Sequence, residues 1–113
     1  MPTSGDIVEL DLGAPTGREA GFRRPAVLVT AQELLDQNPS VIQVVPLTSS
    51  IRGFGSEVVI EADTANGLDQ DSAAQCHQIR AVSAARVVTV RGNVGAAALH
   101  HIRETIALVL DIP

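Results

Sequence analysis

The sequence contains no lysine, tryptophan or tyrosine, and it has two phenylalanines and one cysteine in 113 residues. Phe22 and Phe54 are too few to form the aromatic platform on which single-stranded nucleic acids stack in many binding domains. The single cysteine, Cys76, excludes an intrachain disulfide and fits a reducing compartment, which predicts a cytoplasmic protein. No apolar run approaches the roughly 20 residues of a spanning helix, and no signal peptide is evident, so no membrane partner is predicted.

The net charge of −5 argues against a surface that binds nucleic acids broadly, and DNA binding by this chain alone is not expected. All eight positive charges are arginines, so a local basic cleft stays open as an alternative. With 45% apolar residues and this length, the chain is expected to form one domain over residues 1–113 with a single modest core.

Short apolar segments separated by turn residues predict a mainly β protein. Strands are predicted over residues 6–12, 24–30, 41–47, 56–61, 73–79 and 85–90, with a short helix over 31–37. Towards the end of the chain, Leu99, Ile102, Ile106 and Val109 recur at spacings of three and four, which predicts an amphipathic helix. Together these elements predict a small β-barrel of five to seven strands with a C-terminal helix packed on it.

Two adjacent arginines stand at the start of the second predicted strand. Arg23 and Arg24 stand before Pro25 and the apolar run 26–29. A guanidinium group keeps its charge and presents a planar set of donors that suits phosphate oxygens. The pair therefore indicates a ligand site, while a solvated charge pair at a strand entry is the alternative.

Other chemically suggestive residues favour ordinary structural roles. His100 and Glu104 are four residues apart on the predicted helix, but no further ligand has suitable spacing, so no metal site is predicted. Cys76 is expected to be a small buried hydrophobic residue rather than a nucleophile.

Four blocks of residues occur in the order typical of one toxin family. They are Gly5-Asp6-Ile7-Val8, the stretch from Gly17 to Val29 that contains Arg24-Pro25, Val45-Pro46-Leu47-Thr48-Ser49, and Gln75-Cys76-His77-Gln78-Ile79-Arg80. Each block alone is weak, but together they span nearly the whole chain. Because it contains these four blocks in this order, the chain resembles the MazF/PemK/Kid ribonuclease toxins.

The resemblance implies a small SH3-like β-barrel of the CcdB/PemK type, usually a homodimer. It implies an endoribonuclease that needs no metal or cofactor, cuts single-stranded RNA and is neutralised by a cognate antitoxin protein. The 2′-hydroxyl of the ribose attacks the adjacent phosphate and leaves a 2′,3′-cyclic phosphate and a 5′-hydroxyl. By the same resemblance, the catalytic arginine corresponds to Arg24 and the catalytic hydroxyl to Thr48.

Six more residues are expected to bind RNA because they lie within or beside the matched blocks: Arg18, Glu19, Arg23, Ser49, His77 and Gln78. For Glu19 an ion pair with Arg23 or Arg24 is equally open, and for Gln78 a place in a dimer interface is the alternative. The family's glutamine after Glu19 is Ala20 here, which leaves the recognised RNA sequence, and messenger against transfer or ribosomal RNA, open.

Two other functions are alternatives to the ribonuclease activity. A gyrase-inhibiting toxin of the CcdB kind shares the fold but acts by protein binding, typically through a tryptophan near the end of its last helix. This chain ends Leu110-Asp111-Ile112-Pro113 without tryptophan, which counts against that interpretation. A non-catalytic SH3-like binding module is the second alternative, and it would not require Arg24 and Thr48 together.

Overall fold

The computed structural model describes residues 2–13 and 23–113. Seven strands and two helices are present in these ranges: β1 (Asp6–Asp11), β2 (Arg23–Leu28), α1 (Gln32–Leu35), β3 (Val41–Thr48), β4 (Glu57–Ile60), β5 (Ser72–Gln75), β6 (Arg80–Ser83), β7 (Val87–Asn93) and α2 (Ala96–Val109). Among the described residues, neither helix has the length and apolar character needed to span a membrane.

The strands form one antiparallel sheet in the order β4-β5-β3-β2-β1-β7, with β6 also paired to β3. The mainly β fold with a C-terminal helix is therefore confirmed. Within the described residues the sheet does not close into a barrel, because β4 pairs only with β5 and β7 only with β1. Helix α2 instead covers the apolar face near β4, since Leu99 and Ile102 belong to the same core as Val58 and Ile60.

The central strands are buried on both faces. Alternate side chains of β1 and β2 enter two different core clusters, with Ile7 and Val27 beneath α2 and Val8 and Leu28 on the opposite face. Because successive side chains of a strand point to opposite faces, this arrangement requires nearly continuous apolar sequence. In β2 this burial begins at Ala26, so Arg23 and Arg24 extend from a buried segment while remaining exposed themselves.

The strand predicted over residues 73–79 is wrong in its second half. β5 ends at Gln75, and a 3₁₀ turn over Cys76–Gln78 leads into β6, which was not predicted. The turn allows both segments to pair with β3, at Leu47↔Ala74 for β5 and at Val44↔Arg80 for β6. Cys76 is completely buried, as expected from its small apolar character.

Candidate functional site

A cleft of about 360 Å³ opens where β2 begins and β3 ends. It is lined by residues from β2, β3, β5 and β7, from the turn after β3 and from the loop between β4 and β5: Arg23, Arg24, Pro25, Leu47, Thr48, Ser49, Leu68, Asp69, Gln70, Ser72 and Arg91. Four of the residues predicted from the sequence, Arg23, Arg24, Thr48 and Ser49, are therefore brought together in one cleft.

The pairing of β2 with β3 accounts for this proximity. Ala26 is paired with Pro46 in an antiparallel register. Continuing that register by two residues brings Arg24 level with Thr48, because partners in an antiparallel pair move in opposite directions along the chain. On its other edge, Arg24 is paired with Leu10 of β1, which holds its backbone on that side.

The hydroxyl of Thr48 is oriented by its own loop. Its Oγ1 atom accepts a hydrogen bond of 3.1 Å from the backbone N–H of Ser50. A hydroxyl that accepts one bond still has its proton to donate. Thr48 is half-buried and lines the cleft, so this proton is available to an anion bound beside Arg24.

The β7 side of the cleft contains a third arginine, which the sequence did not single out. Arg91 lies between two carboxylates, with its Nε 3.4 Å from Glu9 Oε2 and its Nη2 3.2 Å from Asp69 Oδ2. Asp69, Gln70 and Ser72 were also missed. The contributing segments are far apart in the chain, and no local spacing signals that they meet.

The other predicted residues lie elsewhere. His77 and Gln78 are exposed in the 3₁₀ turn after β5 and do not line the cleft, and His77 Nδ1 lies 2.8 Å from Ser56 Oγ. Arg18 and Glu19 lie outside the described residues.

Two further groups bear on the chemistry that the chain can offer. His100 Nε2 lies 3.4 Å from Glu104 Oε1, and both side chains are largely exposed. No group of three or more histidine, cysteine, aspartate or glutamate side chains in residues 2–13 and 23–113 is arranged to hold a metal ion. Burial raises the pKa of Cys76 to about 11, so its thiol is protonated near neutral pH and is a poor nucleophile.

The fold and cleft define a small, mainly β protein with a cationic, hydroxyl-bearing pocket at converging strand ends. The chain belongs to the family of PemK-like, MazF-like toxins of type II toxin–antitoxin systems, whose model matches residues 3–110. This match is to the PemK and MazF toxins, so the comparison lends no support to the gyrase-inhibitor alternative.

Individual relatives agree with this assignment. The chain is 37% identical over 119 residues to Endoribonuclease MazF9 of Mycobacterium tuberculosis, with 99% of this chain and 98% of that relative covered. A MazE–MazF crystal structure from Deinococcus radiodurans has a TM-score of 0.81 at 23% identity, covering 99% of this chain and 97% of that one. The Mycobacterium tuberculosis toxin MazF-mt6 has a TM-score of 0.78 at 23% identity, covering 96% and 98%. The two structural likenesses support the fold.

Proposed function

We propose that the protein is an endoribonuclease toxin, formed by one domain over residues 1–113, that cleaves single-stranded RNA without a metal ion or cofactor. The observation that carries the proposal is the lining of one open cleft by both Arg24 and Thr48. The identity to Endoribonuclease MazF9 over nearly the whole of both chains supports the same activity.

In the proposed reaction, the ribose 2′-oxygen attacks the adjacent phosphorus and the bond from phosphorus to the 5′-oxygen breaks. Solvent water takes the proton of the 2′-hydroxyl, and the departing 5′-oxygen receives one from water, either directly or through the Arg24 guanidinium, which leaves a 2′,3′-cyclic phosphate and a 5′-hydroxyl. Negative charge grows on the non-bridging oxygens during the attack. The guanidinium of Arg24 and the hydroxyl proton of Thr48 stabilise that charge more than they stabilise the ground state.

Arg23 and Ser49 bind the flanking RNA in this proposal, because both line the same cleft. Arg18 and Glu19 enter the proposal from the sequence alone. His77 and Gln78 are proposed to contact RNA beyond the cleft, from the 3₁₀ turn that they form after β5.

The toxin is proposed to act in the cytoplasm as a homodimer, and a cognate antitoxin to inhibit it. The family description, a toxin of type II toxin–antitoxin systems, supports the antitoxin, and a structure of similar fold contains MazE with MazF. The antitoxin is proposed to cover the cleft with an acidic segment, because three arginines line it.

The proposal is tested by incubating a long single-stranded RNA with the protein in EDTA and mapping the ends of the products. Wild type is expected to cut and to leave cyclic phosphate and 5′-hydroxyl ends. Arg24→Ala and Thr48→Ala are each expected to cut at least about 100-fold more slowly, the loss typical of one transition-state donor. Arg103→Gln is the control, because Arg103 lies on α2 and donates to the Val29 carbonyl, beyond the far end of β2.

An intact RNA after incubation with folded wild type would exclude the proposed activity. Equal cutting by Arg24→Ala, Thr48→Ala and the control would exclude the proposed site. Expression of the wild-type chain is also expected to arrest growth unless its antitoxin is supplied, with Arg24→Ala as the non-toxic comparison.

A further inference from the structure

We propose that Arg91 is a further RNA-binding residue, which holds a backbone phosphate next to the scissile one from the β7 side of the cleft. The inference rests on the proposed ribonuclease function and adds a binding residue that lies outside the blocks shared with the toxin family.

Arg91 is held in place by two carboxylates that leave part of its donor set accessible. Its Nε lies 3.4 Å from Glu9 Oε2 and its Nη2 lies 3.2 Å from Asp69 Oδ2. Within the described residues, Nη1 has no hydrogen-bond partner. A guanidinium has five N–H donors in a rigid fork, so this arrangement orients the group and still offers donors to an incoming phosphate.

The two carboxylates that contact Arg91 differ in their exposure to solvent, and therefore in how strongly each holds the guanidinium. The side chain of Glu9 is 21% exposed, whereas that of Asp69 is 84% exposed. Ion pairs open to solvent add little stability, so the contact with Asp69 is easily exchanged for one with phosphate. Glu9 then remains as the anchor that keeps the guanidinium directed along the cleft wall.

The loop that carries Asp69 is built rigidly against β7. Asn66 is 3% exposed, and its side chain accepts hydrogen bonds from the backbone N–H groups of Asp63 and Leu68 and donates one to the Glu61 carbonyl. Gly92 lies so close to this loop that a Cβ atom on it would collide with the Ala65 carbonyl oxygen. The wall beside Arg91 is therefore formed before any ligand arrives.

Positive charge is concentrated in this cleft although the protein as a whole is acidic. Three of the eight arginines, Arg23, Arg24 and Arg91, line it together with one carboxylate, Asp69, while the whole chain has a net charge of −5. Successive phosphates of an RNA strand need cations at more than one point along the groove, and Arg91 supplies one on a different strand from Arg23 and Arg24.

The test measures binding of a short 2′-O-methylated RNA of randomised sequence, which cannot be cleaved because its nucleophile is blocked. Affinity is measured by fluorescence anisotropy over a series of salt concentrations. Arg91→Gln is expected to weaken binding about ten-fold. It should also reduce the slope of log affinity against log salt by about 0.7, the contribution of one phosphate on a single strand.

Two further variants separate RNA binding from a structural role. Arg91→Lys keeps the charge and is expected to retain the wild-type salt slope with a smaller loss of affinity, because lysine lacks the fork. Arg103→Gln removes the same charge far from the cleft and is expected to keep both affinity and slope. Thermal unfolding of each variant shows whether it is folded.

The inference is overturned if folded Arg91→Gln shows the same dependence of log affinity on log salt as wild type. It is also overturned if this dependence is weakened as much in Arg91→Lys as in Arg91→Gln. Cleavage of unmodified RNA by the same wild-type protein distinguishes this failure from failure of the proposed function. If wild type cuts while Arg91→Gln shows no change in binding, only the role of Arg91 is wrong. If wild type neither cuts nor binds, both proposals fail.

Discussion

Glu57 accepts a hydrogen bond of 2.9 Å from the backbone N–H of Gly53, which ties the start of β4 to the loop that follows Thr48. The same carboxylate oxygen, Oε1, also accepts a bond of 3.1 Å from the backbone N–H of Arg52. The second oxygen, Oε2, is buried and has no partner among the described residues. One side chain therefore organises the loop between a proposed catalytic hydroxyl and the next strand.

We expect Glu57→Ala to slow RNA cleavage several-fold and to lower stability by about 1 to 3 kcal/mol, because two backbone donors lose their acceptor. Glu57→Gln keeps an oxygen at the position of Oε1 and is expected to stay much nearer to wild type. Cleavage rate and thermal unfolding are measured together. Glu33→Ala on the exposed face of α1 removes the same charge as a control. Unchanged cleavage by Glu57→Ala would show that the loop does not depend on this carboxylate.

We expect Thr48→Val to reduce the cleavage rate about 100-fold, because valine has the shape of threonine but cannot donate a proton to the phosphate. Thr48→Ser keeps the hydroxyl and is expected to stay within a few-fold of wild type. Affinity for the 2′-O-methylated RNA should change little in either variant, since the proposed contribution is made in the transition state. A loss of affinity as large as the loss of rate would contradict that assignment.

Local sequence patterns are enough to predict most of the strands and the side of the cleft that carries Arg24 and Thr48. Continuous apolar sequence in residues 26–29 predicts a central strand, and Arg24 and Thr48 stand at strand ends that a simple antiparallel register brings level. The strand β6 was missed because the 3₁₀ turn over Cys76–Gln78 has no Gly or Pro to signal a break. The continuous run of residues 73–79 therefore resembles one strand.

The β7 side of the cleft could not be predicted, for a physical reason. Arg91 meets Glu9 because β1 and β7 are paired, and their register shifts once between Ile7 and Val8 and again between Glu9 and Leu10. It meets Asp69 because the loop before β5 packs against the backbone of Gly92. Such contacts depend on tertiary packing between distant segments, which leaves no periodicity in the chain.

We expect Gly92→Ala to destabilise the protein by about 1 to 3 kcal/mol, because the new methyl group would collide with the backbone of Ala65 and Asn66. Chemical denaturation measures the change. Gly55→Ala is the matched control, since a Cβ atom at Gly55 meets nothing within 4 Å among the described residues and the site has no positive φ. Equal stability of both variants would mean that the loop yields to the methyl group without cost.

Alkaline pH offers a measurement that reports on a single side chain. Burial raises the pKa of Cys76 from its ordinary value of 9.0 to about 11. The chain has no lysine or tyrosine, and arginine keeps its proton throughout this range, so Cys76 is the only side chain expected to titrate there. The unfolded chain loses the thiol proton at a lower pH than the folded protein does.

We therefore expect the contribution of this thiol to the free energy of unfolding to be constant well below pH 9.0 and to be lost as the pH rises through 9.0 towards about 11. The unfolded state binds fewer protons in that interval, and the total loss approaches about 2 to 3 kcal/mol. Urea denaturation at a series of pH values measures it. Near neutral pH, Cys76→Ala is expected to be less stable than wild type because it leaves a cavity, but its stability should not decline over this interval. A parallel decline in both proteins would assign the alkaline sensitivity to a group other than this thiol.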